Sequence, residues 1–148
     1  MSLENKINDA IKTAMRAKDK TALDALRAVK SQLLLLKSEA RGAELTETQE
    51  IAVLQKMVKQ RRESYEQFSA QNRMDLAETE QEQSRIIEQF LPQQLSPAEL
   101  EAALKQIIAE SGAEGLKDLG KVMALASTQL AGKSDGKSIS AMAKQLLN

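Results

Sequence analysis

Leu3, Ile7, Ile11 and Met15 recur every four residues, and Leu26, Val29, Leu33 and Leu36 every three or four. That spacing lines up side chains on one face of an α-helix, which turns once in about 3.6 residues. With interruptions it continues to Leu146 and Leu147. No stretch alternates apolar and polar residues in the period-2 manner of a strand. Ala, Leu, Glu, Lys, Gln, Met and Arg dominate, and all are strong helix formers. The expected class is all-α, with seven helices.

The first helix runs from about Ser2 to Lys18, and Asp19 and Thr21 supply cap oxygens after it. The second runs from about Thr21 to Arg41 and stops at Gly42, a natural left-handed stop. Leu34 and Leu35 widen its apolar face, which places it between neighbours. The third opens on the capping box Thr46-Glu47-Thr48-Gln49 and reaches about Ala70 through Ile51, Leu54, Val58, Tyr65 and Phe68. At roughly 25 residues it spans about 37 Å, which suits a hairpin with the second or fourth helix. The fourth covers about Met74 to Leu91, marked by Leu76, Ile86, Ile87 and Phe90. Its polar middle, Glu78 to Ser84, predicts thin packing there. Ser96-Pro97-Ala98-Glu99 starts the fifth with a cap, a first-turn proline and a capping-box acid. That helix stops at Gly112, the sixth spans about Lys117 to Leu130, and the seventh begins near Asp135.

The segment from Phe90 to Ser96 marks a boundary. It divides an N-terminal helical domain of about four helices, 1–92, from a C-terminal three-helix domain, 93–148. A module as small as the second is marginal alone. Phe90, Leu91 and Leu95 are therefore expected to pack across the junction.

The chain has no cysteine and no histidine. That removes disulfides, thiolate nucleophiles, Cys-ligated metals, Ser-His-Asp triads and imidazole bases. Glu78, Glu80, Glu82 and Glu88 read as a solvated face, since carboxylate di-metal bundles also use Glu-x-x-His pairs. No cofactor, no metal and no catalysis by this chain alone are expected. No apolar run approaches the roughly 20 residues of a membrane span. Residues Met1 to Lys6 contain no apolar leader. The expectation is a cytoplasmic protein with no membrane partner.

Lysine plus arginine number 21, as do aspartate plus glutamate, but the zero sum hides a pattern. Residues 1–73 are mainly basic, 74–114 mainly acidic, and 115–148 basic again through Lys117, Lys121, Lys133, Lys137 and Lys144. Gly115 to Lys121 has the spacing of a phosphate loop, but Val122 stands where a magnesium-binding hydroxyl is needed. Gly132-Lys133-Ser134 and Gly136-Lys137-Ser138 lack the first glycine, and none of the three follows a strand. Gly120 falls inside a helix at a cost of about 1 kcal/mol against Ala, which favours close helix packing as its reason. Lys117, Lys121, Lys133 and Lys137 cluster around the sixth helix and the following turn. Helix N-termini near Lys117 and Asp135 would add amide donors for phosphate. Lys20, Arg27, Lys30, Lys37 and Arg41 form a second basic stripe within about 100° of the second helix. With almost no aromatic residues, base stacking is disfavoured, and a folded RNA held by its backbone fits better.

Three motifs carry a family resemblance. Ile86-Ile87-Glu88-Gln89-Phe90-Leu91-Pro92-Gln93-Gln94-Leu95-Ser96 resembles the junction of the YqeY-like proteins. Lys117-Asp118-Leu119-Gly120-Lys121-Val122-Met123 and Gly132-Lys133-Ser134-Asp135-Gly136-Lys137 resemble their second and third signatures. Ala124 departs from the pattern, where a glycine is expected. That family is related to the tail of one component of the tRNA-dependent amidotransferase. The resemblance implies a two-module all-α architecture and a tRNA-binding last module. Lys117, Gly120, Lys121, Lys133, Gly136 and Lys137 are then the candidate RNA-facing residues. A carbon–nitrogen ligase label, with glutamine as amido donor, would describe the larger relative's complex, because its kinase-like and amidase parts are absent. The implied partner is tRNA or another structured RNA. The alternative is a protein-interaction adaptor docking through Leu34, Leu35 and the acidic 74–114 segment.

Overall fold

A computed structural model describes residues 2–148. It contains helices α1 (Leu3–Ala17), α2 (Lys20–Glu39), α3 (Glu47–Ala70), α4 (Met74–Glu88), α5 (Pro97–Ser111), α6 (Leu119–Gln129) and α7 (Gly136–Leu147). A 3-10 turn, Leu116–Asp118, precedes α6, and no strand occurs among the described residues. The all-α class is thus the observed one. By internal contacts the chain forms two compact units, Met1–Leu91 and Pro92–Asn148.

In the first unit, side-chain oxygens start three of the four helices. Ser2 accepts from the amide of Asn5 at 3.1 Å, Asp19 from that of Ala22 at 3.1 Å, and Thr46 from that of Gln49 at 3.2 Å. Each satisfies one donor that the first helical turn leaves without a partner. The core joins Ile7 and Ala14 of α1, Ala25, Leu26, Val29 and Leu33 of α2, Leu54, Met57 and Val58 of α3, and Ile87 of α4. Leu34 and Leu35 stay outside it, 50% and 55% exposed, so α2 buries one face and leaves its flank to solvent.

The hairpin of α3 and α4 is the most extensive pairing in this unit. It turns through Asn72 in the left-handed region, at φ 58°. In the polar middle of α4, Glu78 to Ser84, only Ser84 is buried, and Ala77 is buried just before it. Ala77 and Ser84, seven residues apart, are both buried. Seven residues are nearly two full turns, so both face the same way, and their small side chains admit the neighbouring backbone. Long polar groups close the edges of the hairpin. Arg61 Nε donates to Gln83 Oε1 at 3.2 Å, and Arg62 pairs with Glu88. Glu88 Oε1 also accepts from the Ser84 hydroxyl at 3.4 Å. The helix ends at Glu88, three residues short of the expected Leu91. The residue before Pro92 is disfavoured in helical backbone.

In the second unit, Leu100, Leu104 and Ile107 of α5 meet Val122 and Ala126 of α6, Leu130 just beyond it, and Ile139, Ala143 and Leu147 of α7. The sixth helix starts later than expected. Asp118 accepts from the Glu114 amide at 2.9 Å, and its own amide donates to Gly115 O at 3.0 Å. Those bonds wind residues 116–118 into the tighter turn. Of the junction residues, Phe90 and Leu91 pack on the first core and Leu95 on the second.

Candidate functional site

The second unit holds all three signature segments except the start of the first, and backbone hydrogen bonds join two of them. The amide of Leu95 donates to Lys133 O at 2.9 Å. Gln94 Nε2 donates to Gly132 O at 2.5 Å and to Pro92 O at 2.8 Å. Gly132 sits at φ 77°, where a side chain is strained. The Pro92–Leu95 strap therefore holds the turn that carries the exposed Lys133 and leads into α7, where the exposed Lys137 lies.

The helices α6 and α7 run antiparallel. Leu116 and Leu119 at the start of α6 share a depression with Lys144, Gln145 and Asn148 at the end of α7. An eleven-residue helix is about 16 Å long, so the candidate lysines separate into two groups. Lys117 and Lys121 lie at one end of α6, and Lys133 and Lys137 at the other. Lys144 joins the Lys117 end, although it was not among the expected site residues. It follows Lys137 by seven residues, about 20° short of two turns, which is a signal the sequence carries.

All five lysines are exposed. Among the described residues none of them stands in an ion pair; the pairs present are Lys37–Glu4, Arg62–Glu88, Arg73–Asp75 and Lys105–Glu101. Lys121 is nonetheless engaged. Its ammonium donates to Ser111 O at 2.7 Å, closing the C-terminal end of α5 where a cation is favoured.

The two helix starts differ. At α7 the Asp135 carboxylate accepts from the Ser138 amide at 2.6 Å, which satisfies one of the amides of that first turn. The Asp135 carboxylate also brings a negative charge to that end. At α6 no side chain caps the first turn, because Asp118 is turned back to Glu114. Gly120 lies in that turn and is exposed. A Cβ built on it meets nothing within 4 Å, which overturns close helix packing as its reason. Gly136, the first residue of α7, is equally open.

The second basic stripe is broken up. Lys20 and Arg27 are exposed on α2, while Lys37 lies 3.7 Å from Glu4. Arg41 is beyond the helix in a left-handed conformation at φ 56°. Lys30 lines a depression of about 250 Å³ with Leu33, Leu34, Glu44, Leu45 and Glu50. Burial, reinforced by Glu47 and opposed by Lys6, raises the pKa of Glu50. No helix among the described residues is long and apolar enough to cross a membrane.

The sequence matches the Yqey-like protein family over residues 4–147. A protein of Lachancea thermotolerans is 32% identical over 102 residues, 68% of this chain and 54% of that one. One of Pyrenophora tritici-repentis is 27% identical over 126 residues, 84% of this chain and 68% of that one. One of Clavispora lusitaniae is 38% identical over 81 residues, 55% of this chain and 46% of that one. The chain thus spans about half to two thirds of the length of these relatives. All three are named altered inheritance of mitochondria protein 41, mitochondrial. These names overturn the cytoplasmic expectation. It rested on a missing apolar leader, whereas mitochondrial transit segments are amphipathic and Arg-rich, so that absence does not assign a compartment.

Proposed function

This chain belongs to the Yqey-like protein family, and from that premise we propose that its C-terminal unit is a non-catalytic binding module for a folded RNA, with tRNA as the expected class. One observation carries the reading. Five lysines on and beside α6 and α7 are exposed and, among the described residues, outside any ion pair, at two places about 16 Å apart. An RNA backbone carries regularly spaced charges, and phosphate contacts of this kind position a protein without reading sequence. The open Gly120 leaves room for a phosphate to approach the backbone at the start of α6. The resemblance of the last module to the amidotransferase tail supports tRNA over other RNAs.

The test replaces Lys117, Lys133 and Lys137 together with Glu. Retention of tRNA should be lost with the helical circular dichroism unchanged, and unchanged affinity overturns the site. Lys121 is left out of that set because it closes α5. Lys121→Gln, tested alone, reports any share it has in binding.

The exposed Leu34 and Leu35 favour a second reading, an adaptor that docks a protein on α2. Salt separates the two. Binding through phosphates weakens steeply with salt, whereas burial of apolar surface does not.

A further inference from the structure

The first core takes Leu54, Met57 and Val58 from α3 and Ile87 from α4, with Val53, Ile86 and Phe90 against it. It takes nothing from the stretch between Val58 and Ile86, which forms the tip of the α3–α4 hairpin. Yet that stretch holds two of the three aromatic residues of the chain, Tyr65 and Phe68, both half-buried. Leu76 is 38% exposed and Met74 47%.

The hydrogen bond from Arg61 to Gln83 fixes which of these share a face. Phe68 follows Arg61 by seven residues, and Leu76 precedes Gln83 by seven. Seven residues are nearly two turns, so Phe68 and Leu76 lie on the same side of the hairpin as that bond, nearer the tip. Tyr65 stands one turn from Arg61 and from Phe68, and Glu80 one turn from Leu76 and from Gln83, which adds both to that side. Charge at the tip is one-sided. Residues 63–82 carry six carboxylates and one cation, Arg73, which pairs with Asp75 at 3.2 Å. The other five, Glu63, Glu66, Glu78, Glu80 and Glu82, stand in no ion pair among the described residues.

We propose that the hairpin tip docks a basic segment of a partner protein that also carries apolar side chains. Its lysines and arginines meet the carboxylates, and its apolar groups cover Tyr65, Phe68 and Leu76. Charge complementarity selects this occupant. Five unmatched carboxylates repel nucleic acid and acidic peptides. A wholly polar basic segment leaves the aromatic and leucine surface in water, and a wholly apolar one leaves the carboxylates unmatched. Aromatic side chains are also the ones that protein interfaces favour. The surface belongs to the first unit and does not rest on the RNA reading of the second.

Three synthetic peptides of about five helical turns test this against the full chain at low salt. The first combines lysine with leucine at helical spacing, the second has Glu for each Lys, and the third has Ala for each Leu. The Lys–Leu peptide should bind about tenfold more tightly than the Lys–Ala one, and the Glu–Leu peptide should not bind. Leu76→Ala should weaken the Lys–Leu peptide about fivefold. Replacing Glu78, Glu80 and Glu82 together with Gln should weaken it about tenfold and remove most of its salt dependence. An amide NMR spectrum unchanged away from each substitution verifies the fold. A chain with Leu34→Ala and Leu35→Ala should bind the peptide as the wild type does. Equal affinity for the Lys–Leu and Lys–Ala peptides overturns the apolar part, and binding of the Glu–Leu peptide overturns the charge part. Full affinity in the Leu76→Ala chain, or peptide-induced amide shifts outside residues 61–83, overturns the site. Concentration-dependent shifts at these residues before any peptide is added would identify a second copy of the chain as the occupant and overturn a foreign partner.

Discussion

Glu50 stands half-buried in the first turn of α3, beside the depression that Lys30 and Glu44 also line. Removal from water disfavours its ionised form, and the neighbouring Glu47 acts in the same direction. A carboxyl group whose pKa is raised by folding binds its proton more tightly in the native chain than in the unfolded one. The ionised form therefore opposes folding, fully above the native pKa and not at all below the unfolded one. Glu50→Gln is expected to stabilise the protein at about pH 7. The gain should disappear on acidification below the ordinary carboxylate range, as read by urea midpoints of both proteins at the two pH values. Glu99 shows the opposite sign. Hydrogen bonds from the Ser96 cap hold its pKa down, because they favour the charged acceptor. Lys121 adds a third lesson at this scale: a lysine in a signature segment can serve the fold as well as a ligand.

At the scale of the element, the starts of the helices were legible because they are local chemistry. Thr46 with Gln49 and Ser96 with Glu99 form the capping boxes that their spacing predicts. Each depends on atoms within four residues of one another. The packing of α4 was not legible in the same way. Its polar stretch conceals the buried Ser84, and the buried Ala77 just before it is equally small. The turn after α6 depends likewise on a distant segment. Gln94 reaches across 38 residues of sequence to Gly132. Gln94→Ala should lower the stability of the second unit by about 1 kcal/mol, the usual worth of such a bond. It should also speed hydrogen exchange at the Leu95 amide, which is bonded to Lys133 O. A Leu95 amide that exchanges no faster in this variant would show that the strap does not depend on Gln94.

At the scale of the whole molecule, a formal charge of zero would suggest indifference to polyanions. Binding answers instead to local charge, since exposed charges farther apart than about 8–10 Å are largely screened at ordinary salt. If four or five lysines meet phosphates, the logarithm of affinity should fall with the logarithm of salt at a slope of about −3 to −4. Titrations of tRNA over a range of salt concentrations measure it, and a slope near zero would favour the adaptor through Leu34 and Leu35. The family relationship, the all-α class and most helix limits could be read from the sequence alone. They follow from periodicity, capping and breaker residues, which act over a few neighbouring positions. Tertiary structure alone decided that Lys144 lies at the end where α6 begins, that Lys121 closes α5, and that Gly120 is open to solvent. Each of these turns on which surfaces the folded chain brings together or leaves uncovered, and such adjacency is set by packing rather than by spacing along the chain.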